Sequence, residues 1–173
     1  GMKQQLVVWI TGASSGMGRD LAKQYLQDGY QVVATARRHP LLEELSEHCQ
    51  TEGQLLVAPA DVSDEAAMNS VAQKIAQRYG RLDIVIAGAG YAVYGTFEEL
   101  AVQDYRRQLE PNLFGVIVTL KAALPLLRQS HGQAAIIGSV SGHIGLPRRS
   151  AYAVSKFALR GLAESLRVEW EPY

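Results

Sequence analysis

The first apolar run, Leu6 to Thr11, passes without a spacer into Thr11-Gly12-Ala13-Ser14-Ser15-Gly16-Met17-Gly18, and helical periodicity begins directly afterwards. Few backbones accept that order. Glycine turns a strand sharply into a helix and puts no Cβ in the way of a close neighbour. The helix that follows aims free N–H groups and its positive dipole end at any anion held against the turn. Ser14 and Ser15 add hydroxyl donors to the same place. A pyrophosphate suits these residues, and a plain connecting turn is the alternative. Position at the first strand-to-helix turn of a βαβ unit favours the phosphate.

The rest of the chain alternates in the same way. Leu6 to Thr11, Gln31 to Thr35, Leu55 to Pro59, Asp83 to Ala87 and Ala134 to Gly138 read as short buried strands. Between them run helical stripes. Met17, Leu21, Tyr25 and Leu26 form one, closed by Gly29, and Leu41, Leu42, Leu45 and Cys49 form another behind Pro40. Ser63 is positioned to cap a helix that buries Met68, Val71, Ile75 and Tyr79 and stops at Gly80. A longer helix from Asp104 to about Arg128 points Leu109, Leu113, Val116, Ile117, Leu120, Leu124 and Leu127 inward, with Pro111 and Pro125 expected to bend or divide it. A last helix starts near Ser150 and carries Leu159, Leu162, Leu166 and Trp170.

Five strands alternating with helices predict an α/β fold. Right-handed crossovers narrow it to a Rossmann-like, doubly wound parallel sheet in three layers with strand order 3-2-1-4-5. Ligands of such a sheet bind beyond the carboxyl ends of the strands, so the chemistry is expected at Thr11 to Gly18, Ala36 to Arg38, Asp61, Ala87 to Gly90 and Ser139 onward.

At 173 residues the chain has the length of one domain, and residues 1–173 are read as a single dinucleotide-binding unit. Its 17 basic and 17 acidic side chains cancel without a basic block, which argues against nucleic acid or an anionic membrane as partner. No apolar run approaches the roughly 20 residues of a bilayer span, and a single Cys49 excludes a disulfide framework. A cytoplasmic setting is the expectation. Gly1, ahead of Met2, reads as a tag scar. His39, His48, His131 and His143 lack metal-ligand spacing.

Three further clusters bear on chemistry. After the second strand, where a carboxylate commonly receives the ribose 2′-hydroxyl of NAD, the chain has Ala36 followed by Arg37 and Arg38. Guanidinium groups match a 2′-phosphate in charge and geometry, which favours NADP(H) over NAD(H); a solvated arginine pair is the bland reading. Tyr152 and Lys156, four apart, share one helix face. A free phenol titrates near pH 10, and a neighbouring cation favours phenolate. Such pairs also occur by chance on solvated helices. Ser139, in Gly138-Ser139-Val140-Ser141-Gly142 at the end of the fifth strand, offers a hydroxyl to a carbonyl oxygen, or is an ordinary polar turn. Asn112, a poor helix former beside Pro111, caps a helix segment or anchors a water.

Taken together, the glycine fingerprint, Asp61-Val62 after the third strand, Asn112, Ser139 and Tyr152-x-x-x-Lys156 occur in the order found in the short-chain dehydrogenase/reductase family, which the chain resembles from Leu6 to Tyr173. The resemblance implies hydride transfer between NADP(H) and a carbonyl or alcohol carbon of a small molecule. It gives Tyr152 the role of general acid and Lys156 that of holding the nicotinamide ribose and favouring the ionised phenol. Ser139 positions the substrate oxygen and Asn112 supports a water relay. Gly12, Ser14, Ser15, Gly16, Met17 and Gly18 hold the pyrophosphate. Arg37 and Arg38 face the 2′-phosphate, Asp61 and Val62 contact adenine, and Ala89 and Gly90 line the cofactor.

Two departures from the family pattern stand out. Ala87-Gly88-Ala89-Gly90 replaces the usual Asn-Asn-Ala-Gly, removing two amide side chains that tie local backbone together. The chain also stops where strands 6 and 7 and the substrate-covering segments are expected, leaving strand 5 as an unprotected edge. It is read as a fragment or truncated product, or as one whose edge another chain covers. Apolar surface on the last two helices exceeds what one sheet face covers, so a homo-oligomer paired through them is expected. The competing function is a non-catalytic dinucleotide-binding fragment; a methyltransferase-like domain leaves Ser139, Tyr152 and Lys156 without a role.

Overall fold

The computed structural model of the chain describes residues 6–88, 93–137 and 150–170. Five parallel strands, β1 (Val7–Thr11), β2 (Gln31–Thr35), β3 (Leu55–Val57), β4 (Ile84–Gly88) and β5 (Gln133–Ile137), form one sheet in the order β3-β2-β1-β4-β5. The helices are α1 (Gly16–Gln27), α2 (His39–Glu43, continued by a 3₁₀ turn Glu44–His48), α3 (Glu65–Tyr79), α4 (Val102–Leu109), α5 (Gly115–Ser130) and α6 (Ser150–Trp170). A π turn, Glu110–Phe114, joins α4 to α5. The fold is therefore the doubly wound parallel sheet that the alternation of runs predicts.

Strand periodicity divides the core between the two faces. Val8 and Ile10 of β1 join Val32 and Ala34 of β2 against Ala22 and Leu26 of α1 and Leu42 and Leu45 behind Pro40. On the other face Val7 and Trp9 join Val33 and Val85 against Met68, Val71 and Ile75 of α3 and Val116, Leu120 and Leu127 of α5. Each fully buried side chain of this size contributes about 1.5–3 kcal/mol on leaving water. All five residues of β1 are buried, which makes it the centre of the sheet. The Trp9 indole N–H, within that core, donates to Thr35 Oγ1 at 2.9 Å.

Several expectations need correction. Met17 is exposed rather than part of the α1 stripe; Gly18, Ala22 and Leu26 face the sheet. Asp64, not Ser63, caps α3: its carboxylate accepts the Ala67 N–H at 3.1 Å. β3 ends at Val57, two residues before Pro59. Cys49 is only half-buried, and burial pushes its thiol up from 9.0. On the long helix Val116, Leu120 and Leu127 are buried as expected, but Leu109, Leu113, Ile117 and Leu124 are half-buried. The small residues Thr119, Ala122 and Ala123 are buried on the same helix.

Pro111 does not divide that helix. Its missing N–H is absorbed by a wide turn, in which the Gly115 N–H reaches the Glu110 carbonyl five residues back. Val102–Ser130 consequently runs as 29 residues of helix, apolar enough by length and composition to cross a membrane. Its packing against α3, β4 and β5 is that of a core helix. Among the described residues β5 stands at the sheet edge, with Gln133, Ala134 and Ala135 exposed.

Candidate active site

The glycine turn joins the carboxyl end of β1 to α1. Gly12 and Gly16 adopt left-handed backbone (φ 66° and 57°), which only glycine takes without strain. At Gly18 the reason is space: a Cβ there would stand 2.2 Å from the Gly12 carbonyl oxygen. Ser15 is the N-cap of α1, but its side chain accepts no capping bond, and the first turn holds no acidic residue. The N-terminal N–H groups of α1 therefore face outward with a positive dipole end and no side-chain acceptor of their own. Ser14 is half-buried and Ser15 exposed beside them.

At the switch point the Gly88 N–H donates to Thr11 Oγ1 at 2.9 Å. A Cβ on Gly88 would come within 2.6 Å of the Thr11 carbonyl oxygen. The bare backbone of β4 thus closes directly on β1, without the amide side chains whose replacement was noted in the sequence. One rim of this cleft is built by the ends of β2 and β3. Ala36 is buried, and its carbonyl accepts the Ala60 N–H at 3.1 Å. Arg37 Nη2 reaches Asp61 Oδ2 at 3.1 Å, and Arg38 is exposed beside it. Asp61 Oδ1 accepts the Ser63 N–H at 3.0 Å. That bond, followed by those from Arg37, holds the Asp61 carboxyl below its ordinary 3.8. Val62 leans on α5 where Gly115 leaves room; a Cβ on Gly115 would overlap it at 2.5 Å.

Asn112 is buried within the π turn, three residues before Gly115. α6 packs against α4 and this turn and carries Tyr152, only 4% exposed. The Lys156 ammonium lies 5.8 Å from the centre of the Tyr152 ring. The first turn of α6 is fastened by a 2.6 Å hydroxyl pair between Tyr105 of α4 and Ser150. A continuous set of contacts thus runs from Asp61-Val62 through Gly115 and Asn112 to the helix bearing Tyr152 and Lys156. Ser139, Ala89 and Gly90, also expected at the site, lie outside the described residues.

A family model described as short chain dehydrogenase matches residues 6–173. The chain belongs to the short-chain dehydrogenase family. Human dehydrogenase/reductase SDR family member 7 is 33% identical over 174 residues, covering 97% of this chain and 51% of that protein. The chain spans about half the length of the curated relatives it matches. Among solved structures, an alcohol dehydrogenase from the archaeon Thermococcus sibiricus, complexed with 5-hydroxy-NADP, is 31% identical. It superposes at a TM-score of 0.87, covering 95% of this chain and 71% of that one. A metagenomic short-chain oxidoreductase in complex with NADP, 26% identical, gives 0.89 over 99% of this chain and 79% of its own.

Three residues of this family member's cleft escaped sequence reading. Gln108 is fully buried on α4, and its Oε1 accepts the Val93 N–H at 2.6 Å, which fixes Val93 against α4. In the polar run Gln103-Asp104-Tyr105-Arg106-Arg107-Gln108 nothing in the sequence separates it from its exposed neighbours. Gly115, which makes room for Val62, and Tyr105, which fastens α6, announce themselves only through partners distant in the chain.

Proposed function

We propose that this chain is the cofactor-binding and catalytic part of an NADP(H)-dependent oxidoreductase acting on a carbonyl or alcohol carbon of a small molecule. The observation that carries the reading is Tyr152, buried against Lys156 on a helix packed on the turn that holds Asn112. A dinucleotide fits the residues present. The left-handed glycines, the tight Gly18 contact and the uncapped start of α1 form a cradle for a pyrophosphate. When bound, the nicotinamide supplies or accepts the hydride.

The chain's own groups handle the proton and the orientation. In the reducing direction the Tyr152 hydroxyl gives its proton to the carbonyl oxygen as the carbon becomes tetrahedral, and in oxidation it takes that proton back. Lys156 places a positive charge beside the phenol, which stabilises it once the proton has left. Asn112 holds a water through which the proton is replaced, and Ser139 orients the substrate oxygen. Arg37 and Arg38, with Ala36 in place of a carboxylate, favour a 2′-phosphate. The NADP-bound neighbours support that preference.

NADPH oxidation over a panel of ketones and aldehydes tests the reading. Tyr152→Phe should lower turnover at least about 100-fold with the NADPH dissociation constant unchanged. Equal turnover in the variant removes Tyr152 from its role; saturable binding without turnover on any carbonyl favours a binding-only protein. We further propose that α5 and α6 pair with those of a second copy, because Phe114, Val154 and Phe157 are about half exposed on these helices and the turn before them.

A further inference from the structure

Arg37 and Asp61 follow neighbouring strands, β2 and β3, and meet through a 3.1 Å contact between Nη2 and Oδ2. The two partners are not equally held. Asp61 is anchored by the Ser63 N–H on its other oxygen, whereas the Arg37 side chain is 77% exposed with a long flexible stem. Asp61 is ionised throughout the neutral range, since the Ser63 bond and then Arg37 keep its carboxyl low. One edge of the guanidinium assigned to the 2′-phosphate is therefore already occupied by a fixed anion.

We propose that Asp61 sets the cofactor selectivity of this chain by competing with a 2′-phosphate for Arg37, which weakens the preference for NADP(H) over NAD(H). The proposal rests on the NADP(H) reading above. An exposed ion pair is worth at most about 1 kcal/mol, so a phosphate displaces it. Taking the guanidinium nevertheless means breaking its contact with Asp61, a cost that falls on a 2′-phosphate. A ribose hydroxyl is neutral and donates to a carboxylate, so NAD(H) meets no such opposition. Ala36 leaves the end of β2 without an acid, and the end of β3 supplies one beside the arginine.

The test is a pair of binding titrations with NADPH and NADH, read as the ratio of the two dissociation constants. Damage to the turn or to adenine contacts weakens both cofactors alike and cancels. Arg37→Ala should lower the preference for NADPH. Asp61→Asn keeps the acceptor for Ser63 but loses the charge, and should raise the preference by about two- to fivefold. Arg37→Ala/Asp61→Asn together should return to the Arg37→Ala ratio. Asp61→Ser, which retains a short acceptor, should move the ratio in the same direction as Asp61→Asn and serves if the amide variant folds poorly. If Arg37→Ala leaves the ratio unchanged, the proposal fails, and if Arg37→Ala/Arg38→Ala leaves it unchanged as well, the NADP(H) reading fails with it. If Arg37→Ala lowers it but neutral Asp61 variants leave it unchanged or lower it, only the proposal fails. A rise that persists without Arg37 also overturns it.

Discussion

Buried polar atoms do opposite work in this chain. The Thr11 hydroxyl and the Gln108 carbonyl each hold a backbone N–H near the cleft, although the Gln108 Nε2 is itself buried without a partner among the described residues. The Tyr79 hydroxyl at the end of α3 is buried without a hydrogen-bond partner among the described residues, while the Arg78 guanidinium lies 5.3 Å from its ring. An unsatisfied buried hydroxyl costs stability, and phenylalanine preserves both the ring and its cation contact. Tyr79→Phe should therefore leave the protein at least as stable at neutral pH, by about 1 kcal/mol at most. Burial also pushes the Tyr79 phenol up from 10.0, with Arg78 opposing. The unfolded chain thus releases this proton first, so the wild type loses stability as pH rises above 10. Urea melts at pH 7 and above pH 10 check both: the variant should escape the alkaline loss, and a variant clearly weaker at pH 7 contradicts the account.

At the scale of elements, strand centres and helix stripes were readable because burial repeats with the period of the backbone. Ends were less so. Ser63 and Asp64 are both good caps, and only the path of the chain after Asp61, held by the Ser63 N–H, decides that the second faces Ala67. Pro111 reads as a break because it removes an N–H. The structure shows a different response, an extra residue in the turn, because Asn112 and Gly115 are held from outside by tertiary packing. Met17 follows the helical period yet is exposed, since the glycine turn commits the start of α1 to the cleft rather than to the sheet. The candidate site was legible where its residues cluster in sequence, as with Tyr152 and Lys156. It was illegible where one residue acts by making room for another, as Gly115 does for Val62.

For the whole molecule, strand order followed from alternation and crossover handedness alone. What lies outside the sheet did not. Ile117, Leu124, Leu162, Leu166 and Trp170 line an open groove between α5 and α6, rimmed by Lys121, Arg128 and Glu169. Ile117 and Leu124, expected in the core, are only half-buried because they face this groove. If a second copy covers them, sedimentation at micromolar concentration should show an oligomer, and Phe157→Glu should shift it towards monomer; a wild-type monomer contradicts the pairing.

The central claim is spatial: one dinucleotide reaches from Arg37 and Asp61, across the glycine turn, to Tyr152 and Lys156. The structure of the protein with NADP(H) bound tests it most directly. The account predicts the phosphates against Gly12 to Gly18, the adenine end beside Arg37 and Asp61, and the nicotinamide within reach of the Tyr152 hydroxyl. A dinucleotide seated elsewhere, or one whose nicotinamide lies far from Tyr152, contradicts it.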